Sequence, residues 1–197
     1  MTVDRTRIGF IGAGGIAGRH LGNLLAMEDV QVAALSDPDI DRARNLAVGA
    51  NATSYATYGD MLEREELDAL YICVPPFAHG ELEMAAIDRG LPFFVEKPLA
   101  VDWETAQGIN SAVETAGLVT AVGYHWRYLD TTERALELLS KNPARLALGY
   151  WLDGTPPPSW WRREDQSGGQ MVEQTTHIFD LARVLMGEVT QVYAAGS

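Results

Sequence analysis

The chain has 197 residues, of which 47% are apolar, and a formal net charge of −12. This length supports one domain with a complete hydrophobic core and part of a second. An acidic surface repels phosphate backbones, and the sequence contains no run of 18 apolar residues, so we expect neither nucleic-acid nor membrane partners.

The cysteine content and the N-terminus favour a cytoplasmic protein. Cys73 is the only cysteine, so it cannot form an internal disulfide, which is compatible with a reducing compartment. The first five residues lack the apolar core of a signal peptide. Because Cys73 lies in the apolar run Leu70–Val74, we expect a buried strand residue rather than a nucleophile.

Strand and helix patterns alternate over the first 124 residues. Strands are predicted at Arg7–Ile11, Val30–Ser36, Ala52–Tyr55, Leu67–Val74, Pro92–Glu96 and Leu118–Tyr124. Helices are predicted at Gly14–Met27, Asp39–Ala50, Gly59–Glu65, Phe77–Arg89 and Asp102–Ala116. Repeated β-α units with short links predict an α/β fold, with a doubly wound parallel sheet of the Rossmann type over residues 1–124.

The pattern changes after Tyr124. Helices are predicted at Thr131–Ser140 and Gly169–Met186, strands at Arg145–Leu152 and Val189–Ala195, and a loop at Asp153–Gly168. Because two strands alone make a marginal sheet, we interpret residues 125–197 as part of an α/β domain that is either truncated or completed by another chain. Exposed apolar edges and self-association are expected.

An apolar run near the N-terminus ends in a glycine-rich turn. Gly12, Gly14 and Ala17 form the pattern G-x-G-x-x-A between a predicted strand and a predicted helix. Gly12 permits the tight turn, Gly14 lets a pyrophosphate approach the backbone, and Ala17 lets the helix pack on the strand. The phosphates would bind at the positive end of the helix. We interpret the turn as a dinucleotide site rather than an ordinary βα turn.

Asp37 directly follows the second predicted strand, 20 residues after Ala17. A carboxylate here can bind both ribose hydroxyls of an adenosine and would repel a 2′-phosphate, which favours NAD over NADP. A turn or N-cap role before Pro38 is the alternative. Arg42 and Arg44 lie too far along the next helix to argue for NADP.

Glu96-Lys97-Pro98 follows the fifth predicted strand at its carboxyl end, where ligands bind in open α/β sheets. A lysine there can hydrogen-bond a substrate hydroxyl and stabilise its alkoxide form. The alternatives are a surface lysine, with Glu96 as its charge partner. A cis peptide at Pro98 would aim Lys97 inward.

A third cluster lies on the last predicted helix. Glu173 and His177 are one helical turn apart, and Asp180 lies three residues further. A carboxylate beside a histidine orients the ring and suits a general acid or base. A surface ion pair is the alternative, and no third and fourth ligand with suitable spacing supports a metal site.

These motifs together resemble the Gfo/Idh/MocA family of oxidoreductases. The resemblance covers essentially the whole chain and is strongest at Glu96-Lys97-Pro98 and at the helix that carries His177. Further matching segments are Val74-Pro75-Pro76 with His79 and Gly123-Tyr124-His125-Trp126-Arg127-Tyr128. Family members usually continue far beyond position 197 and often have Asp in place of Glu173.

The resemblance implies a Rossmann domain followed by a C-terminal α/β domain whose open sheet mediates homo-oligomerisation. It implies that Lys97 and His177 are the catalytic pair, supported by Glu173. Cofactor contacts are implied for Gly12, Gly14, Gly15, Ile16, Ala17, Asp37, Val74, Pro75, His79, Glu96, Lys97 and Arg127. Substrate contacts are implied for Lys97, Tyr124, Trp161, His177 and Asp180.

We therefore expect an NAD-dependent dehydrogenase of a sugar, cyclitol or related polyol. His177 would take the hydroxyl proton, Lys97 would hydrogen-bond the same oxygen, and hydride would pass to the nicotinamide. Trp151, Trp160 and Trp161 could stack on a sugar face, although packing explains tryptophans equally well. The alternative is an inactive dinucleotide-binding regulator or scaffold of the same fold.

Overall fold

A computed structural model describes residues 5–195 and divides the chain into two units, Met1–Gly123 and Tyr124–Ser197. The first unit contains a parallel sheet of six strands in the order β3-β2-β1-β4-β5-β6. The strands are β1 Thr6–Ile11, β2 Val30–Ser36, β3 Thr53–Tyr55, β4 Ala69–Ile72, β5 Phe93–Val95 and β6 Thr120–Val122. The chain reverses its direction of winding at β1, which defines the Rossmann order and confirms the predicted fold class.

Five helices of the first unit cover both faces of this sheet. They are α1 Gly15–Leu24, α2 Ile40–Ala50, α3 Tyr58–Arg64, α4 Glu81–Asp88 and α5 Trp103–Ala116. One apolar cluster joins α1 and α2 to β1 and β2, and a second joins α3, α4 and α5 to the central strands. Burial on both faces explains why the strands have nearly continuous apolar sequences.

The segment after β4 differs from its prediction. Pro76–Ala78 forms a 3-10 turn and α4 begins only at Glu81, so the predicted helix Phe77–Arg89 is wrong over its first turn. Gly80 lies between the two with φ +112°, a left-handed region that favours glycine and breaks the helical path.

In the second unit the described residues form helices and irregular segments. The α-helices are α6 Asp130–Lys141, α7 Glu164–Ser167, α8 Gly169–Glu173 and α9 Thr176–Met186. The predicted long helix Gly169–Met186 is wrong in one respect, because it is interrupted between Glu173 and Thr176. None of the helices described in the chain is long and apolar enough to cross a membrane.

The two strands predicted in the second unit are also wrong. Arg145–Leu152 and Val189–Ala195 are irregular, and apart from the half-buried Trp151 their large apolar side chains are exposed, Leu148 by 86% and Tyr193 by 93%. An alternating pattern makes a strand only where a neighbouring strand accepts its backbone hydrogen bonds, and within residues 5–195 these segments pair with none.

Candidate functional site

The glycine turn between β1 and α1 is shaped for a close backbone approach. Gly12 has φ +94°, and a Cβ there would lie 2.2 Å from the carbonyl oxygen of Cys73, so only glycine fits. Around Gly14 and Gly15 the space is open, with no heavy atom within 4 Å of a Cβ placed there. Gly14 is the N-cap of α1 and makes no side-chain cap, so the first amides of the helix are not capped by its side chain and are suited to bind an anion.

Asp37 links this turn to the end of β2. Its Oδ2 accepts a hydrogen bond of 2.8 Å from the Ala13 amide, and its Oδ1 accepts one of 2.8 Å from the Asp39 amide. The carboxylate thus has the turn geometry that we considered as an alternative. Each carboxylate oxygen has a second lone pair, so these two bonds leave acceptor capacity for ribose hydroxyls.

The two arginines near Asp37 are engaged with carboxylates of their own helix. Arg42 lies 3.1 Å from Asp39 and Arg44 lies 3.1 Å from Asp41. Both ion pairs are exposed and lie on α2 or at its N-terminus. Their contacts hold the two guanidinium groups against this helix rather than at the glycine turn.

Glu96 and Lys97 follow β5 at the same carboxyl edge of the sheet. The Glu96 carboxylate is 8% exposed and accepts a hydrogen bond of 3.1 Å from the backbone amide of Lys97. Its other oxygen lies 2.7 Å from Nε2 of His20, on α1. The Lys97–Pro98 peptide bond is cis. Parallel strands therefore bring the glycine turn, Asp37 and Glu96-Lys97 to one edge.

Sequence reasoning did not identify His20 as a site residue. One signal was present: Ala17, Leu21 and Leu24 form the buried stripe of α1, and His20 lies on the same helical face. A polar ring at an apolar helical position points to a specific partner, since buried polar groups are hydrogen-bonded.

The structure places His79 in the interior of the first unit. Its Nδ1 lies 2.7 Å from Glu83 Oε1, and both side chains are completely buried. The other Glu83 oxygen accepts a 2.6 Å hydrogen bond from the Gly80 amide. The ring thus ties the turn after β4 to α4, and the half-buried Val74 and Pro75 form the open part of that turn.

In the second unit, His177 lies within an aromatic cluster. The ring of Trp126 stacks on it at a centroid distance of 4.9 Å and an angle of 16°, and Trp151 stacks on Trp126 at 5.4 Å. His125 meets the His177 ring edge-on at 5.1 Å. At the start of α9, Tyr124 Oη is 2.9 Å from Oγ1 of Thr176, the residue before His177.

Glu173 and Trp161, predicted for different roles, are hydrogen-bonded to each other. The indole Nε1 of Trp161 donates a 2.7 Å bond to Glu173 Oε2. The helix is interrupted between Glu173 and His177, because α8 ends at Glu173 and α9 begins at Thr176. The two residues are therefore not neighbours on one continuous helix. The indole N–H of Trp161 is therefore committed to a carboxylate.

Arg127 and Asp180 form a further pair in the second unit. Nε of Arg127 lies 2.8 Å and 2.7 Å from the two Asp180 carboxylate oxygens, and Nη2 of the same guanidinium also donates to Oδ1. The hydrogen bonds to Asp180 raise the pKa of Arg127, so its charge is permanent. Asp180 is only 5% exposed, and this pair fixes the 3-10 turn His125–Tyr128 to α9.

A surface cavity of about 630 Å³ lies at the opposite, amino-terminal edge of the first unit's sheet. Three of its charged residues already contact one another, since Arg7 contacts the Glu65 carboxylate and donates its backbone amide to Asp68. The glycine turn, with its uncapped helix end, is the better candidate for an anionic ligand.

The first unit is thus a dinucleotide-binding Rossmann fold, with an acidic residue and a lysine at its ligand-binding edge. A family model described as "Oxidoreductase family, NAD-binding Rossmann fold" matches residues 6–124, and the model of the GFO/IDH/MocA C-terminal domain matches residues 144–197. The chain belongs to this GFO/IDH/MocA family of NAD-binding oxidoreductases.

Individual relatives agree with this assignment. The chain is 30% identical to "Uncharacterized oxidoreductase YrbE" of Bacillus subtilis over 96% of this chain and 56% of that protein. It is 30% identical to "Myo-inositol 2-dehydrogenase" of Thermotoga maritima over 97% and 58%. Myo-inositol 2-dehydrogenase from Lactobacillus plantarum has the same fold, with a TM-score of 0.82 and 24% identity over 93% and 57%. The chain spans little more than half the length of these relatives.

Proposed function

We propose that the protein is an NAD-dependent oxidoreductase that transfers hydride between nicotinamide and a carbinol carbon of a sugar, cyclitol or related polyol. One observation carries the proposal: the open glycine turn, the Asp37 carboxylate and Glu96-Lys97 share one sheet edge. Membership of an NAD-binding oxidoreductase family and a relative that is a myo-inositol dehydrogenase support it.

NAD rather than NADP is the cofactor that Asp37 favours. A 2′-phosphate would bring a second negative charge to this carboxylate at hydrogen-bonding distance, where like charges repel. Arg42 and Arg44, the nearest cations in sequence, are paired with Asp39 and Asp41. We therefore expect the adenosine ribose, with both hydroxyls free, to hydrogen-bond Asp37.

We propose that Lys97 donates a hydrogen bond to the substrate oxygen and that His177 accepts the hydroxyl proton as general base. When bound, the nicotinamide ring supplies the hydride acceptor. The carbinol carbon loses a hydride and its oxygen loses a proton, so the product is a carbonyl compound and the charge balances. In the reverse direction His177 returns the proton.

The second unit holds His177 in a fixed orientation. Stacking on Trp126 keeps the imidazole in one plane, and the Tyr124–Thr176 hydrogen bond fixes the start of α9. Trp161 likewise fixes the Glu173 carboxylate, for which we propose a supporting role. Pre-organised side chains of this kind lower the cost of reaching the reactive geometry.

A paired experiment tests the proposal. NAD and NADP binding are measured by calorimetry. A panel of sugars and cyclitols is screened for NAD reduction by the absorbance of the reduced cofactor. Lys97→Met and His177→Asn should each lower turnover about 100-fold or more while NAD affinity stays within about twofold. Lys141→Met is the matched control, since Lys141 is the other lysine and is exposed at the end of α6.

The outcomes separate two functions. Binding of NAD without reduction by any polyol would contradict the enzyme and favour a dinucleotide-binding regulator or scaffold. Full turnover in both variants would contradict the two assigned roles. Exposed apolar residues of the second unit, such as Leu146 and Val192, support our further expectation of self-association, and the single buried cysteine supports a cytoplasmic location.

A further inference from the structure

His20 occupies a position that is fixed by aromatic packing. Phe10, Tyr71 and Phe94 are in register on three neighbouring strands, and their rings stack with centroids 5.1 Å and 4.8 Å apart. The His20 imidazole meets Phe94 edge-on at 4.9 Å and Tyr71 at 5.5 Å. The row of rings therefore sets where the imidazole nitrogens lie.

The fixed imidazole in turn holds the Glu96 carboxylate. Nε2 of His20 is 2.7 Å from Oε1, while Oε2 accepts the Lys97 amide hydrogen at 3.1 Å. On a third side lies Gly123, at which a Cβ would approach the carboxylate atoms to 3.1–3.2 Å. The two hydrogen bonds and the close backbone at Gly123 together hold the Glu96 carboxylate in one orientation.

We propose that His20 is a positioning residue for Lys97 and acts through Glu96. It links the helix that follows the glycine turn to the residue that follows β5. The role of Lys97 toward a substrate oxygen rests on the function proposed above. The structural part, that His20 fixes the Lys97 backbone, does not.

The physical reason lies in the length of the lysine side chain. Lysine has four rotatable bonds, so any uncertainty in its backbone position adds to the freedom of its ammonium group. Without His20, the Glu96 carboxylate can rotate toward water, and the Lys97 amide then loses its acceptor for part of the time. Supporting contacts of this kind hold functional groups within a fraction of an ångström.

The lysine content of the chain makes the effect of His20 on the Lys97 amide measurable. The only lysines are Lys97 and Lys141, so selective ¹⁵N-lysine labelling gives two backbone amide signals, one at the site and one as an internal reference. Hydrogen exchange of both amides is followed in the unmodified chain and in His20→Phe, which keeps an aromatic ring but lacks the hydrogen bond. His20→Gln supplies an amide donor instead, and Arg19→Gln changes the exposed neighbouring residue as the control.

We expect His20→Phe to speed exchange of the Lys97 amide about tenfold, the effect of weakening a hydrogen bond to a charged group, and to leave Lys141 unchanged. His20→Gln should restore part of the protection, and Arg19→Gln should change neither signal. An unchanged Lys97 amide in folded His20→Phe would overturn the proposal, as would equal effects of His20→Phe and His20→Gln.

Should His20→Phe fail to fold, His20→Gln decides. A glutamine amide is not held by ring packing on Phe94 and Tyr71 as the imidazole is, so the Lys97 amide should exchange faster in His20→Gln than in the unmodified chain. Equal exchange of the Lys97 amide in these two proteins would contradict the proposal.

Turnover supplies an independent arm. In an active chain, His20→Phe should lower kcat about tenfold while KM for NAD stays within about twofold, because the support acts on Lys97 rather than on the glycine turn. If the unmodified chain binds NAD but reduces nothing, the proposed enzymatic function fails, whereas the amide data still decide the role of His20.

Discussion

The two units of this chain use apolar residues in opposite ways. In the first, Ile8, Phe10 and Val32 are buried in strands that pair with one another and are covered by helices on both faces. In the second, Leu146, Leu148 and Tyr150 alternate as a strand would, but they are exposed and form no ladder. A parallel β-α unit contains its own partners, whereas an isolated alternating segment depends on a neighbour.

Two intrinsic probes allow the units to be compared directly. Cys73 is buried in the first unit, so its reaction with a thiol reagent reports unfolding there. Four of the five tryptophans lie in the second unit, and the fifth, Trp103, is already exposed, so tryptophan fluorescence reports mainly on the second. Each variant below is followed with both probes in a urea titration.

The largest effect is expected for Gly12→Ala in the first unit. The added Cβ would meet a backbone carbonyl oxygen at 2.2 Å, at a φ of +94° that alanine disfavours. We expect a loss of at least about 3 kcal/mol in the free energy of unfolding reported by Cys73, together with loss of NAD binding.

Gly22→Ala is the matched control on α1, because a Cβ there meets nothing within 4 Å. It should stabilise the first unit by about 0.5–1 kcal/mol. Equal effects of the two substitutions would show that the turn after β1 is not as close to Cys73 as described.

An intermediate effect is expected for Arg127→Met in the second unit. The substitution leaves the buried Asp180 carboxylate without its guanidinium partner. Because the arginine is itself 39% exposed, the loss should be about 2 kcal/mol, below the range for fully buried pairs, and visible in tryptophan fluorescence.

Arg183→Met breaks the exposed Arg183–Glu188 pair and serves as the control. It should leave the fluorescence midpoint unchanged, since exposed ion pairs contribute little. A change in Cys73 reactivity with Arg127→Met, without one in fluorescence, would contradict the division of stability between the units.

The smallest effect concerns pH. Burial raises the pKa of the Cys73 thiol, and the negative charge of Glu96 adds to this. Above about pH 8.5 the unfolded thiol ionises while the folded one stays protonated, so the unfolded state binds fewer protons and stability falls as pH rises.

We expect the free energy of unfolding of the first unit to fall by up to about 1.4 kcal/mol per pH unit between pH 9 and 10, relative to Cys73→Ala. Circular dichroism during the urea titration measures both proteins, since the variant lacks the thiol. Parallel pH profiles for the two would contradict the inferred burial of an un-ionised thiol.

Local pattern was sufficient where each residue's partner is specified by nearby sequence. The glycine turn, Asp37 after β2 and Glu96-Lys97 after β5 all lie at strand ends, and parallel pairing then brings them to one edge. Asp37 was predicted either to hydrogen-bond the backbone of the turn or to bind the ribose hydroxyls. The two roles are compatible, because its two backbone hydrogen bonds leave lone pairs available.

Pattern was insufficient where the partner lies far along the chain. His20 and Glu96 are 76 residues apart, and no pattern along the chain relates them. The hydrogen bond between Trp161 and Glu173 spans fewer residues but depends on how α7 turns into α8. The interruption after Glu173 was likewise hidden, because residues 169–186 have helical periodicity throughout.

The amino-acid sequence by itself determined the βα order, the glycine turn and the acidic and basic residues at strand ends, since steric limits and hydrophobic periodicity act over a few residues. Only the tertiary structure decided that His20 pairs with Glu96 and that the alternating segments of the second unit stay unpaired within the described residues. Such hydrogen bonds and strand pairs join residues that are far apart in the sequence, and local periodicity does not specify which of them meet.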